Sequence, residues 1–164
     1  MIKIKRRLKY SYIAAFAGFL FGFDTIVISG VDQKLQELWN SSDLFHGLVV
    51  VGMALWGTVI GAIFGGLPTN YFGRRKTLLW IGYLYSISAI GSAVCYDPIT
   101  FAFFRFLGGV GIGISTIAAP AYISEISSSN ERGKLVGYYQ LNIVMGILFA
   151  FVSNFFLKEL GESS

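Results

Sequence analysis

The sequence predicts an all-α fold: a polytopic bundle of about five transmembrane helices with its N-terminus in the cytoplasm. Three observations predict it. Of 164 residues, 54% are hydrophobic and only 13% charged, against roughly 25% charged in an ordinary soluble domain. Mean hydropathy is +0.63 for a chain of 18.0 kDa, and a domain of that size still exposes roughly a third of its unfolded surface, so water is the wrong solvent for it. Five stretches reach the roughly 20 residues that a hydrocarbon core about 30 Å thick demands of a helix, with charge confined to their ends or to single sites.

The first span is expected near 11–31. The basic lead MIKIKRRLKY could belong to a cleaved signal, but the apolar run after it is too long for an ordinary h-region and contains Asp24, so it reads as a retained span. The second is expected near 48–67, with Gly57, Gly61 and Gly65 as a ridge of small residues on one face. The third is expected near 77–96. The fourth, near 100–124, repeats the ridge at Gly109 and Gly113 and contains Pro120, which frees a carbonyl and invites a kink. The fifth is expected near 134–157. Such ridges let helices approach closely where lipid supplies no hydrophobic drive; tight packing and sliding during a conformational change are both open to them.

Orientation follows from lysine and arginine, which accumulate in cytoplasmic loops. Lys3, Lys5, Arg6, Arg7 and Lys9, then Arg74, Arg75 and Lys76, then Arg132 and Lys134 make ten on one side. The other side holds two, Lys34 and Lys158, beside Asp32, Glu37, Asp43, Asp97, Glu159 and Glu162. A net charge of +4 thus reads as topology, not as a nucleic-acid surface. One cysteine, Cys95, and one histidine, His46, exclude a disulfide framework and a zinc constellation. His46 is expected at the membrane interface. No cofactor is expected, and without a nucleophile and base or a metal cluster the chain does not read as an enzyme.

Asp24 and Arg105 are the informative residues, because charge at membrane depth is expensive and normally faces a partner or a watery cavity. Counting 1.5 Å per residue, Asp24 lies roughly 10 Å and Arg105 roughly 8 Å below the outer surface. Level with each other, they are expected to meet as an ion pair or through one water. A static brace is one reading; a proton switch is the other, since a carboxylate that loses its arginine in a dry site gains affinity for a proton. At the cytoplasmic ends, Gly73, Arg74, Arg75, Glu125 and Arg132 form a cluster that could latch helix ends, although plain positive-inside flanking explains Lys76 and Lys134. Gln140 and Asn142 offer donor and acceptor together to a polyhydroxylated ligand, or hold helices to each other.

These residues fall in an order that resembles the sugar porter family of the major facilitator superfamily. GFLFGFDTIVISG is similar to that family's G-x-x-F-G-[YF]-D-x-x-V-I-S-G, and GGLPTNYFGRRK resembles the G-x-x-x-[DN]-[RK]-x-G-R-R-[RK] signature. RFLGGVGIGISTIAAPAYISEISSSNERGKLVGYYQ resembles R-x-x-x-G-x-G-x-G, then P-x-Y-x-x-E, then R-G and a glutamine on the next helix. The resemblance implies proton-coupled monosaccharide symport by alternating access in the cell (plasma) membrane, with sugar, proton and lipid bilayer as partners and no nucleic acid. It implies Asp24 as the proton-coupling carboxylate with Arg105 beside it, Gln140 as a sugar contact, Phe21 as an aromatic lining the cavity, and Gly73, Arg74, Arg75, Glu125 and Arg132 as a charge network. Asn70 and Tyr71 depart from the signature, and a serine run replaces a proline after Glu125, which leaves that turn less rigid. Sugar porters have twelve spans; residues 1–164 read as a partial N-terminal transmembrane domain that lacks its C-terminal half. Facilitative uniport is the mechanistic alternative, and a truncated, non-transporting membrane protein or scaffold is the alternative of another class.

Overall fold

The computed structural model describes residues 2–162, with side chains described for 10–158. The side chains of Lys3, Lys5, Arg6, Arg7, Lys9, Glu159 and Glu162, used above for orientation, lie outside the described residues. Every regular element among the described residues is helical. They are α1 (Ile2–Val27), a 3₁₀ turn (Ile28–Gly30), α2 (Asp32–Leu38), α3 (Asp43–Phe45), a π-helical turn (His46–Val51), α4 (Gly52–Phe64), α5 (Gly66–Phe72), α6 (Arg74–Val94), α7 (Pro98–Ile126) and α8 (Arg132–Glu162). Among the described residues five stretches are long and apolar enough to cross a membrane: Tyr10–Gly30, Asp43–Phe64, Arg74–Val94, Pro98–Ile126 and Arg132–Lys158. Leu55, Trp56, Ile63, Trp80, Ile90, Val144 and Phe155 stand exposed on them, which suits hydrocarbon and would not suit water. With no water in the bilayer core, the helix is the form in which such runs satisfy their own backbone.

The chain divides into two compact units, residues 1–33 with 119–164 and residues 34–118. In the first unit α1 and α8 run parallel, because Gly18 meets Tyr139, Gly22 meets Ile143 and Gly30 meets Asn154, both numbers rising together. In the second, α4 and α7 are parallel by the same test: Gly57 meets Phe106, Gly61 meets Val110 and Gly65 meets Ile114. There α6 and α7 are antiparallel, since Gly91 meets Phe104, Ser88 meets Gly108 and Leu84 meets Gly111. Alternating crossings require these directions: first with fifth, second with fourth, third against fourth. The two ridges read from the sequence face each other, Gly109 on the Ala54 carbonyl and Gly113 on that of Thr58.

Helix ends differ from expectation for local reasons. Span two starts at Asp43 rather than Leu48 because Ser42 accepts the Phe45 N–H at 3.5 Å and opens a helical turn there. The chain then passes through the wide π turn, in which Gly52 N–H reaches the Gly47 carbonyl. His46, near the start of that span, is buried, at 3% exposure, its Nδ1 3.1 Å from Ser41 Oγ. Span four starts at Pro98 because Asp97 Oδ2 accepts the N–H groups of Ile99 and Thr100, each at 3.1 Å; an aspartate cap followed by proline in the first helical position suits both residues. α7 then continues through Pro120 to Ile126. Over half of its most apolar stretch, 56%, is buried, against 22% or less in the other four. Trp39 Nε1 donates to the Tyr96 carbonyl at 3.0 Å and its ring packs on Phe101, fastening the link after α2 to the start of α7.

Candidate functional site

On α1 the residues that touch α8 and the residues with chemistry occupy different faces. Gly18 and Gly22 lie against the Tyr139 and Ile143 carbonyls, and Gly146 of α8 against the Phe19 carbonyl. At about 100° per residue, Asp24 is turned roughly 200° from Gly22 and points away from α8, while Phe21 lies only about 60° from Asp24. Both are half-buried. The hydroxyl of Thr25 is satisfied within the helix, donating to the Phe21 carbonyl at 2.8 Å.

Just beyond Asp24 the helix tightens into the 3₁₀ turn at Ile28–Gly30. The Ile26 carbonyl there accepts two side chains, Ser29 Oγ at 2.8 Å and Asn154 Nδ2 at 3.1 Å. Gly30 has no side chain because Asn154 occupies the space in which its Cβ would stand. Asn154 therefore performs the helix-joining role that the sequence offered to Gln140 and Asn142. A lone amide within an apolar run was the available signal, and its place near the C-terminal end of the span disguised it.

Gln140 and Asn142 separate in the structure. Two residues apart on α8, they project about 200° from each other. Gln140 is exposed, directly after Tyr139, which is buried at 2% exposure. Asn142 is half-buried and turned back on its own helix, Nδ2 donating to the Tyr138 carbonyl at 2.8 Å.

Arg105 is buried on α7, at 7% exposure, one helical turn from buried Phe101 and Ala102. It belongs to residues 34–118, whereas Asp24 belongs to the other unit.

The residues expected at the cytoplasmic ends are divided between the two units. In one unit Gly73 joins α5 to α6 at φ 79° and ψ 150°, a conformation open essentially to glycine alone. That turn lets α6 begin at once with Arg74, whose Nη1 donates to the Thr69 carbonyl at 3.5 Å, and with exposed Arg75. In the other unit Glu125 closes α7 and Arg132 opens α8, both exposed. The serine run between them is bonded at both ends. Ser127 Oγ donates to the Ile123 carbonyl, Ser128 Oγ donates to Glu131 Oε2 at 2.9 Å, and the Ser128 carbonyl accepts the Arg132 N–H at 3.0 Å. Hydroxyls thus hold the turn that a proline would have stiffened. Among the described residues no three His, Cys, Asp or Glu side chains stand together as metal ligands.

Comparison with known proteins matches the chain to a family. The family model described as "Sugar (and other) transporter" matches residues 10–164. A glucose transport protein of Synechocystis is 42% identical over 161 residues, covering 98% of this chain and 34% of that protein. The D-xylose-proton symporter of Escherichia coli K12 is 33% identical, covering 93% of this chain and 36% of its own length. The arabinose-proton symporter of Bacillus subtilis is 36% identical, covering 92% and 32%. The solved structure of the proton:xylose symporter XylE bound to 6-bromo-6-deoxy-D-glucose superimposes with a TM-score of 0.84 at 31% identity, over 94% of this chain and 38% of that one. The chain thus spans about a third of the length of the curated relatives it matches.

Proposed function

We propose, for a chain that belongs to the sugar transporter family of the major facilitator superfamily, that it forms the proton-handling part of a monosaccharide symporter. The observation that supports this most is Asp24: a carboxylate half-buried on a membrane span, on the face of α1 turned away from its tight contact with α8. A group whose neighbours are fixed by bare backbone packing on one side and free to change on the other is suited to exchange a proton as the bundle moves. In this reading Arg105 is the cation that holds Asp24 ionised in one state and leaves it in another, raising its proton affinity when the partner withdraws. Curated relatives named as xylose-proton and arabinose-proton symporters support the coupling ion and the substrate class.

The sugar is assigned to Gln140, whose amide is exposed and can offer donor and acceptor to paired hydroxyls, with Phe21 as the apolar surface beside Asp24. Asn142 joins this set only by giving up its bond to Tyr138. Gly73, Arg74, Arg75, Glu125 and Arg132 are assigned to a cytoplasmic network that stabilises one access state. Alternating access needs one half to rock against another around a central site, so the activity is proposed for this chain together with a C-terminal transporter half, in the plasma membrane.

The test is sugar-driven proton movement. In inside-out or whole-cell preparations of the full transporter, adding sugar should alkalinise the medium, and Asp24→Asn with Arg105→Leu should abolish that signal while leaving sugar counterflow. Proton-coupled uptake retained by the double variant would overturn the switch. Uptake without any proton movement in the unaltered protein would favour facilitative uniport, and no flux at all a non-transporting membrane protein.

A further inference from the structure

The unit 34–118 has a groove that the transport reading leaves unused. It encloses about 190 Å³ between Pro68 and Phe72 of α5, Trp80, Ile81 and Leu84 of α6, and Ile114 of α7. Thr77 also lines it, but its hydroxyl is engaged with the carbonyls of Pro68 and Gly73, each at 3.1 Å, so it offers no polar group to an occupant. A sugar has nothing to bond there. Phe72 and Trp80, at the rim, are 59% and 63% exposed, so the groove is open at the surface of a candidate membrane span.

Charge stands beside the apolar space. Thr77 directly follows Arg74, Arg75 and Lys76, the first residues of α6, and Arg75 and Lys76 are exposed. The first turn of this 21-residue helix also presents N–H groups without intrahelical acceptors. From Arg74 to Trp80 is roughly 9 Å along the axis, about the step from a lipid phosphate to the upper part of its chain. This is the end of the span that the lysine and arginine bias assigns to the cytoplasm, where anionic lipids concentrate.

We propose that the groove binds one acyl chain of an anionic phospholipid, with the lipid phosphate held by Arg75, Lys76 and the start of α6. The two halves of the site select this occupant jointly. A zwitterionic lipid fills the groove but lacks the net charge, and a free phosphate meets the cations but leaves the groove empty. The site does not depend on whether the protein transports sugar.

The experiment uses Trp80 as the reporter. The protein is placed in phosphatidylcholine vesicles with a small, equal fraction of either brominated phosphatidylglycerol or brominated phosphatidylcholine, the bromine on the upper acyl chain, where it quenches tryptophan on contact. Fluorescence lost by the protein minus that lost by Trp80→Phe isolates Trp80 from Trp39 and Trp56. Phosphatidylglycerol should quench more strongly, by up to about fivefold for each cation engaged. Arg75→Gln with Lys76→Gln, at exposed positions that spare the fold, should bring the two lipids level, and water-soluble glycerol phosphate should not compete. Equal quenching by both lipids overturns the proposal, as does a preference that survives the double variant. Trp80 untouched by either lipid also overturns it and assigns the groove to a segment of protein.

Discussion

Replacing Gly18 by alanine tests whether α1 and α8 are joined through bare backbone. A Cβ at Gly18 would stand 2.5 Å from the Tyr139 carbonyl oxygen, 3.1 Å from Tyr139 Cδ2 and 3.2 Å from Ile143 Cγ1. The two side chains can rotate by a few tenths of an ångström, but the carbonyl is fixed in the helix. Restoring the 3.4 Å of ordinary contact therefore opens the helices by about 0.9 Å at that level. A radial gap of roughly 0.5–1 Å already forfeits a quarter to a half of each dispersion contact across it, and the adjoining contacts at Gly22 and Gly146 open with it. Overpacking of this kind destabilises by about 1–3 kcal/mol. The comparison is Gly82→Ala on α6, where an added Cβ meets nothing within 4 Å and alanine gains roughly 0.5–1 kcal/mol of helix preference. Unfolding of each purified variant in mild detergent, followed by circular dichroism against denaturant, should separate them by on the order of 2–3 kcal/mol, with opposite signs relative to the parent. Equal stability of the two variants would refute the close approach.

The amides should behave differently from one another. Asn154→Ala breaks the bond to α1 and should cost about 0.5–1.5 kcal/mol in the same unfolding assay, within the range for interhelical hydrogen bonds in membranes, whereas Asn142→Ala, losing a bond to its own helix, should be nearly neutral. Gly73→Ala should cost about 1–3 kcal/mol because alanine resists a positive φ with extended ψ, and Gly133→Ala, with open space around it, should not. The Cys95 thiol, outside the membrane spans, is pushed up from its ordinary pKa, chiefly by burial. It is therefore less ionised than an exposed thiol at the same pH. Maleimide should label it more slowly than an exposed cysteine at pH 8, with the gap closing as pH rises.

The fold was legible where one rule governs a whole segment. Lipid forbids unsatisfied backbone, so every apolar run of sufficient length had to be a helix, and charge asymmetry fixed the alternation that the parallel and antiparallel pairs display. Helix ends were less legible because they depend on single side chains: Asp97 and Ser42 each extend a span outward by capping it. The candidate site stood out as a set of polar residues in apolar surroundings, which singled out Asp24, Arg105, Gln140 and Asn142 together. That signal reports cost but not direction. The 200° between Gln140 and Asn142 could have been read from spacing alone, but Asn142's bond to Tyr138 and Asn154's to Ile26 depend on rotamers that no periodicity encodes.

The α1–α8 contact bears on coupling. Gly18, Gly22 and Gly146 place backbone on backbone, the rings of Phe19 and Phe149 and of Tyr12 and Tyr138 pack beside them, and Asn154 ties the far end at Ile26, so at the glycines the two backbones are in direct contact. Sliding one past the other would drive fixed carbonyls into each other. The pair should therefore move as one body, with Asp24 and Phe21 on one of its helices and Gln140 on the other. Under the symport proposed above, a proton taken up by α1 and a sugar held by α8 would act on the same rigid element, and the motion between access states would fall between this pair and the helices around it. Gly30→Cys with Asn154→Cys, in a background with Cys95→Ser, should form a disulfide where the two positions already meet, and uptake by the full transporter should be unchanged on oxidation. Loss of uptake on oxidation, regained on reduction, would mean that α1 and α8 separate in the cycle and that the proton and the sugar act on different bodies.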